Sequence, residues 1–159
     1  MKTENQYRVM FICTGNRVRS VMAKAIFDRR LIESNLNNII SDSGGLIRLY
    51  GAKAAENTIK ICAQNGLDVV DHRSQQVNGT HLSQSNLLLA MEAEQVSYLK
   101  NVYSEYSDKI FILTGYNGGA ERDVHDPYGE NEEAYKKIFD EIDNEIDRVF
   151  PGIVSASKL

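Results

Sequence analysis

The octapeptide Cys13-Thr14-Gly15-Asn16-Arg17-Val18-Arg19-Ser20 holds a thiol, a guanidinium six residues on and a hydroxyl one residue further. A tight loop of this kind turns successive N–H groups inward and makes an anion nest. Gly15 and Asn16 are residue types that tolerate left-handed backbone, which such a loop needs. A helix starting behind the loop adds unpaired N–H groups and the positive end of its dipole. Arg19 can close the cradle with a bidentate fork onto two phosphate oxygens. The same field favours a thiolate at Cys13, and the Ser20 hydroxyl can donate to that sulfur. One set of donors then stabilises both the nucleophile and the tetrahedral anion it attacks. By itself the spacing of Cys13 and Arg19 is a weak signal, since a buried strand-end thiol is the ordinary fate of cysteine. The strand before it, the helix after it, the Gly-Asn pair and Ser20 make the combination specific.

A thiolate that attacks a phosphate ester needs a partner to protonate the leaving oxygen. The candidate is Asp126, in Asp123-Val124-His125-Asp126-Pro127-Tyr128-Gly129. Pro127 is one of only two prolines and holds Asp126 extended, off the helix that follows. A plain turn aspartate is the alternative. Its place after the fourth strand favours the acid role, because that is the sheet end to which Cys13 also belongs.

The elements that must position these residues alternate. Tyr7–Cys13 reads as a buried strand, with Ser20 as N-cap of a helix running to about Ser34. Asn38–Ser43 reads as a second strand ended by Gly44-Gly45. Ala52–Asn65 has helical spacing, with Ala55, Ile59 and Cys62 on its apolar side and Gly66 as its stop. Asn86–Met91 is a continuous apolar run typical of a strand buried on both faces. Glu92–Tyr103 reads as a helix, Lys109–Leu113 as a fourth strand, and Asn131–Phe150 as a long amphipathic helix stopped by Pro151-Gly152. This order predicts an α/β three-layer sandwich: a four-stranded parallel sheet with right-handed crossovers, flanked by helices. Ligands of such sheets bind beyond the carboxyl ends of the strands, where Cys13 stands.

The 159 residues suit one domain with a real core, here 1–159 with its core at about 7–150. Apolar residues are 42%, charged residues 25% and net charge −4, so generic attraction to nucleic acid or an anionic membrane is not expected. No stretch has the length of a transmembrane helix, and the polar MKTENQY start does not read as a signal peptide. Cys13 and Cys62 make no disulfide framework, which fits a reducing cytoplasm. Ser157-Lys158-Leu159 matches a peroxisomal address, but a polar tail is the simpler reading of three residues. His72, His81 and His125 lack ligand spacing with cysteine or carboxylates, and no nucleotide fingerprint is present, so no metal or cofactor is expected. No pattern specifies an oligomeric state.

CTGNRVRS after a first strand, SGG after a second, DHRSQQV, NLLLAME and the late DPYG together resemble the low-molecular-weight protein tyrosine phosphatases, from about Tyr7 to Phe150. The resemblance implies metal-free hydrolysis of a phosphotyrosine protein or another phosphomonoester through a cysteinyl-phosphate. By position it makes Cys13 the nucleophile, Arg19 the phosphate clamp and Asp126 the general acid, later base. Thr14, Gly15, Asn16, Arg17, Val18 and Ser20 would line the phosphate loop, and Tyr128 one aromatic wall of the cleft. Asn16 would also join Ser43 and His72 in a polar network that holds the loop in shape. The chain departs from the family pattern in several places. Val18 stands where a second, protective cysteine is usual. Arg17 replaces an apolar residue or the threonine that accompanies phosphoarginine phosphatases, and would repel a phosphoguanidinium while favouring substrates with a second negative group. Val21 and His125 replace prolines, and Lys24 a glutamate. An aromatic residue expected after the second strand has only Leu49 or Tyr50 as counterparts. The rival readings are a non-catalytic phosphate-binding module, an arsenate reductase, for which Cys62 is the only other thiol, and a protein arginine phosphatase.

Overall fold

The computed structural model describes residues 6–159. Four strands, β1 (Tyr7–Cys13), β2 (Ile39–Gly45), β3 (Leu87–Ala90) and β4 (Ile110–Ile112), form one parallel sheet in the order β2-β1-β3-β4. β1 is central, and Val9 to Cys13 are all buried. Strand geometry sends alternate side chains to opposite faces. Val9, Phe11 and Cys13 pack under α1 (Arg19–Glu33), α2 (Glu56–Gln64) and α5 (Glu132–Ala156). Met10 and Ile12 pack on the other face, with Val77, with Leu82 of α3 (Gly79–Gln84) and with Leu99 of α4 (Ala93–Val102). Covering both faces explains why β1 and β3 read as unbroken apolar runs. The result is the three-layer sandwich expected from the alternation of elements.

Several expected boundaries move. Ser20 is not the N-cap of α1: Val18 occupies that place, without a side-chain cap, and the Ser20 hydroxyl is engaged elsewhere. Gly44 and Gly45 lie inside β2 rather than after it, because the strand runs on beneath the loop that follows β1. A Cβ on Gly45 would fall 2.7 Å from the Thr14 carbonyl oxygen. Nor does α5 stop at Pro151-Gly152; it continues to Ala156. The extra turn buries Ile153 completely, which offsets the missing Pro151 donor. Gly152 serves close packing: a Cβ there would run into the Asn117 side-chain amide. The short α3 lies in a stretch with no apolar periodicity, and its start is set by a local device. Asn78 Oδ1 accepts from His81 N, and His81 Nδ1 accepts from Asn78 N. Among the described residues no helix is long and apolar enough to cross a membrane.

Candidate active site

Cys13 ends β1, and the chain turns through residues 14–18 before α1 begins. The turn depends on one left-handed residue, Asn16 (φ 56°); Gly15, the other candidate for that conformation, does not adopt it. Among the described residues, the N–H groups of Gly15, Asn16, Arg17 and Val18 have no hydrogen-bond acceptor. These four donors precede the free first turn of α1, so the loop keeps the N–H groups an anion nest requires.

The Asn16 side chain is fully buried and holds the loop from beneath. Its Nδ2 donates to Ser20 Oγ (2.8 Å) and Ser43 Oγ (3.0 Å), and its Oδ1 accepts from Gln75 N (3.1 Å). The Asn16 carbonyl accepts from His72 Nε2 at 2.7 Å, so the His72 proton sits on Nε2. Burial, helped by the Lys24 and Arg73 cations and opposed by this bond, pushes the His72 imidazole below its ordinary value. His72 is therefore a neutral donor at neutral pH. Because Ser20 Oγ accepts from Asn16, its own O–H is available to Cys13 Sγ, 3.0 Å away. Asn16 and Ser20 thus lie under the loop instead of lining the cleft.

Arg19 is 1% exposed, yet its guanidinium reaches the pocket floor. Nη1 donates to Glu92 Oε2 (2.5 Å) and to the Val124 carbonyl (2.8 Å). Nη2 lies 3.5 Å from Asp126 Oδ2. The Asp126 turn is fixed at several points. Val124 N donates to Met91 O, Tyr128 N donates to Asp126 Oδ1, and Glu130 N donates to Pro127 O. His125, outside the pocket, pairs with Glu130 at 2.5 Å. Cys13, Thr14, Gly15, Arg17, Val18, Arg19, Asp126 and Tyr128 come together around one pocket of about 270 Å³. Ile47 and Leu49 complete its wall. Of the two candidates after β2, Leu49 takes the wall position, while Tyr50 faces solvent and donates to Gln76.

Arg17 donates from Nε to the Lys53 carbonyl (2.9 Å) and from Nη1 to the Tyr128 hydroxyl (3.3 Å), with its guanidinium carbon 5.7 Å from the ring centre. Glu92 and Gln95, which the sequence reading passed over as ordinary residues of a helix, both reach this machinery. The available signal was the Glu92-x-x-Gln95 spacing at a helix start. Lys24 pairs with Asp28 at 2.6 Å on the outer side of His72. Among the described residues no group of three His, Cys, Asp or Glu side chains is placed to hold a metal ion.

The family model described as low molecular weight phosphotyrosine protein phosphatase matches residues 8–157. A protein-arginine-phosphatase of Geobacillus stearothermophilus is 30% identical over 143 residues, covering 90% of this chain and 93% of its own. A probable low molecular weight protein-tyrosine-phosphatase of Ralstonia nicotianae is 28% identical over 146 residues, covering 91% and 94%. The solved structure of a low molecular weight protein tyrosine phosphatase from T. tengcongensis superimposes with a TM-score of 0.88 at 34% identity, covering 92% and 99%. The chain belongs to the low molecular weight phosphotyrosine protein phosphatase family. It is a cysteine-dependent phosphatase, of a family that acts on phosphorylated proteins.

Proposed function

We propose that this chain hydrolyses phosphotyrosine monoesters by two in-line displacements at Cys13. The observation that carries the reading is the Cys13 sulfur, 3.0 Å from the Ser20 hydroxyl, in a pocket that also presents Arg19 and Asp126. In the first step Sγ forms a bond to phosphorus while the bond to the leaving oxygen breaks. Asp126 gives its proton to that oxygen. In the second step a water attacks phosphorus, Asp126 takes its proton, and the S–P bond breaks to release inorganic phosphate. Loop N–H groups and Arg19 hold the equatorial oxygens throughout. Ser20 donates to the thiolate before attack and again as it departs.

The pocket supports a flat, uncharged leaving group. Ile47 and Leu49 provide apolar wall, and Tyr128 is held by Arg17 on another side. A phosphoarginine would bring its own guanidinium toward Arg17, where like charges repel. This favours the tyrosine reading, although the Geobacillus relative carries the arginine name. Cys62, the other thiol, is fully buried and pushed up to about 12 by burial, which makes it a poor partner for redox exchange with Cys13 and disfavours an arsenate reductase.

Phosphate release from phosphotyrosine and phosphoarginine peptides, with wild type beside Cys13→Ser and Asp126→Ala, tests this. Wild type is expected to prefer phosphotyrosine, and Cys13→Ser to lose turnover while still binding inorganic phosphate. Asp126→Ala is expected to lose roughly 10²–10⁴-fold on poor leaving groups and least on p-nitrophenyl phosphate. Binding without release by wild type would instead identify a phosphate-binding module. Wild-type turnover by Cys13→Ser would overturn the mechanism.

A further inference from the structure

We propose that Gln95 is a positioning residue for phosphoryl transfer, setting the nucleophile loop and the phosphate-clamping arginine in one register; this rests on the phosphatase reading above. Gln95 is 3% exposed, so its amide sits in the interior. Its Oε1 accepts from Met91 N (2.9 Å) and Glu92 N (3.1 Å), two backbone donors that the end of β3 and the start of α4 leave free. These bonds fix which way the amide faces. Nε2 therefore points at the loop, where it donates to Thr14 Oγ1 at 3.1 Å. The same Nε2 stands 3.4 Å from Glu92 Oε2, the oxygen that holds Arg19 Nη1 at 2.5 Å.

One amide thus touches both halves of the anion site. Thr14 directly follows the nucleophile, and Glu92 anchors the guanidinium that would grip two phosphate oxygens. The start of α4 anchors the acid-bearing segment as well. Asp123 Oδ1 accepts from Ala93 N at 2.8 Å, and Met91 O accepts from Val124 N. An amide suits this place better than a charged side chain. Its oxygen accepts the two N–H groups, while its nitrogen donates to a hydroxyl and a carboxylate. Glutamate would keep the acceptor but bring a second negative charge against Glu92, and methionine would leave Met91 N, Glu92 N and Thr14 Oγ1 without this partner and Glu92 Oε2 to Arg19 alone. A shift of the loop relative to Arg19 changes how well the donors fit a pentacoordinate phosphorus, so the effect belongs on the rate as well as on phosphate affinity.

A double-mutant cycle tests this, using Gln95→Met, Thr14→Val and the pair. The readouts are kcat/KM for p-nitrophenyl phosphate, inhibition by inorganic phosphate and the thermal midpoint. Gln95→Met is expected to lower kcat/KM roughly ten- to hundredfold and to weaken phosphate inhibition. The pair is expected to lose much less than the product of the two single losses, because both changes break the same bond. Should Gln95→Met fail to fold, Gln95→Glu keeps the two backbone bonds and replaces it in the cycle; repulsion from Glu92 lowers its thermal midpoint as well, so it is read on weakened phosphate inhibition and on a less-than-multiplicative loss of kcat/KM with Thr14→Val. A residue that only caps α4 would lower the midpoint and leave phosphate inhibition unchanged, and that result, or strictly multiplicative losses, overturns the proposal. Cys13→Ser runs beside the cycle: turnover by that variant would mean that the phosphatase mechanism, and not the Gln95 coupling, is what failed.

Discussion

Arg17 shows how far a single residue type can be read before its surroundings are known. Its place in the loop marked it as a cleft residue, and its charge suggested selection by charge. Tyr128 and the Lys53 carbonyl add that the guanidinium is tethered rather than waving in solvent. A tethered cation acts at a fixed place with less entropy lost on binding, so its influence on a flanking group should be measurable. Arg17→Ala is expected to reduce kcat/KM for acidic phosphopeptides several-fold relative to neutral ones, and to narrow the gap between phosphotyrosine and phosphoarginine peptides. Identical ratios in the two enzymes would show that Arg17 only braces Tyr128. Ser20 went the other way. As a residue type it is a good helix N-cap, but Asn16 and Cys13 engage its hydroxyl, and no local rule weighs those partners against the helix. The left-handed turn at Asn16 was legible because left-handed tolerance is a property of the residue type itself. Glu92 and Gln95 were not, because their partners are 73 and 81 residues away in sequence.

At the scale of elements, the connections around β2 and α3 tie the support network to pH. His72 donates to the Asn16 carbonyl, and His81 Nδ1 accepts from Asn78 N at the start of α3. Burial lowers both imidazoles below their ordinary value, with Lys24 and Arg73 adding to the effect at His72, Arg8 adding at His81 and Asp42 opposing it at both. A group depressed in the folded state binds its proton more readily when unfolded, where its value is about 6.5. The folded form is therefore favoured above that value and loses ground as pH falls from about 6.5 toward the depressed folded values. Urea denaturation at pH 7.5, 6.5 and 5.5 is expected to show falling stability, with a flatter slope in His72→Gln/His81→Gln. Stability that rises on acidification would contradict this. The β-strands and long helices were legible as elements, since short continuous apolar runs and period-3.6 patterns are local. The stop of β2 was misplaced because Gly44-Gly45 signals a break only when nothing packs closely above it, and here the loop after β1 does.

For the molecule as a whole, α5 fastens one layer to the sheet along its full length. Ile138, Phe139, Ile142, Ile146, Val149 and Ile153 are all buried, and Phe150 meets Phe27 of α1 edge to face. The helix past Pro151 is part of that packing. Ile153→Ala is expected to cost about 2–5 kcal/mol in chemical denaturation while leaving kcat/KM for p-nitrophenyl phosphate unchanged; a loss below about 0.5 kcal/mol would show the last turn to be dispensable. The sequence alone determined the alternation of strand and helix, the parallel sheet, and the tight loop that carries Cys13, Arg19 and Ser20 at the end of the first strand. Those follow from hydrophobic period, backbone preference and residue chemistry, all of which act over a few positions. Only the tertiary structure decided that Asn16 and Ser20 lie beneath the loop, that Leu49 rather than Tyr50 walls the pocket, and that Glu92 and Gln95 hold Arg19 and Thr14. Which distant side chains answer a given donor depends on the strand order β2-β1-β3-β4, which sets the end of β3 beside the end of β1 and so brings the start of α4 against the nucleophile loop.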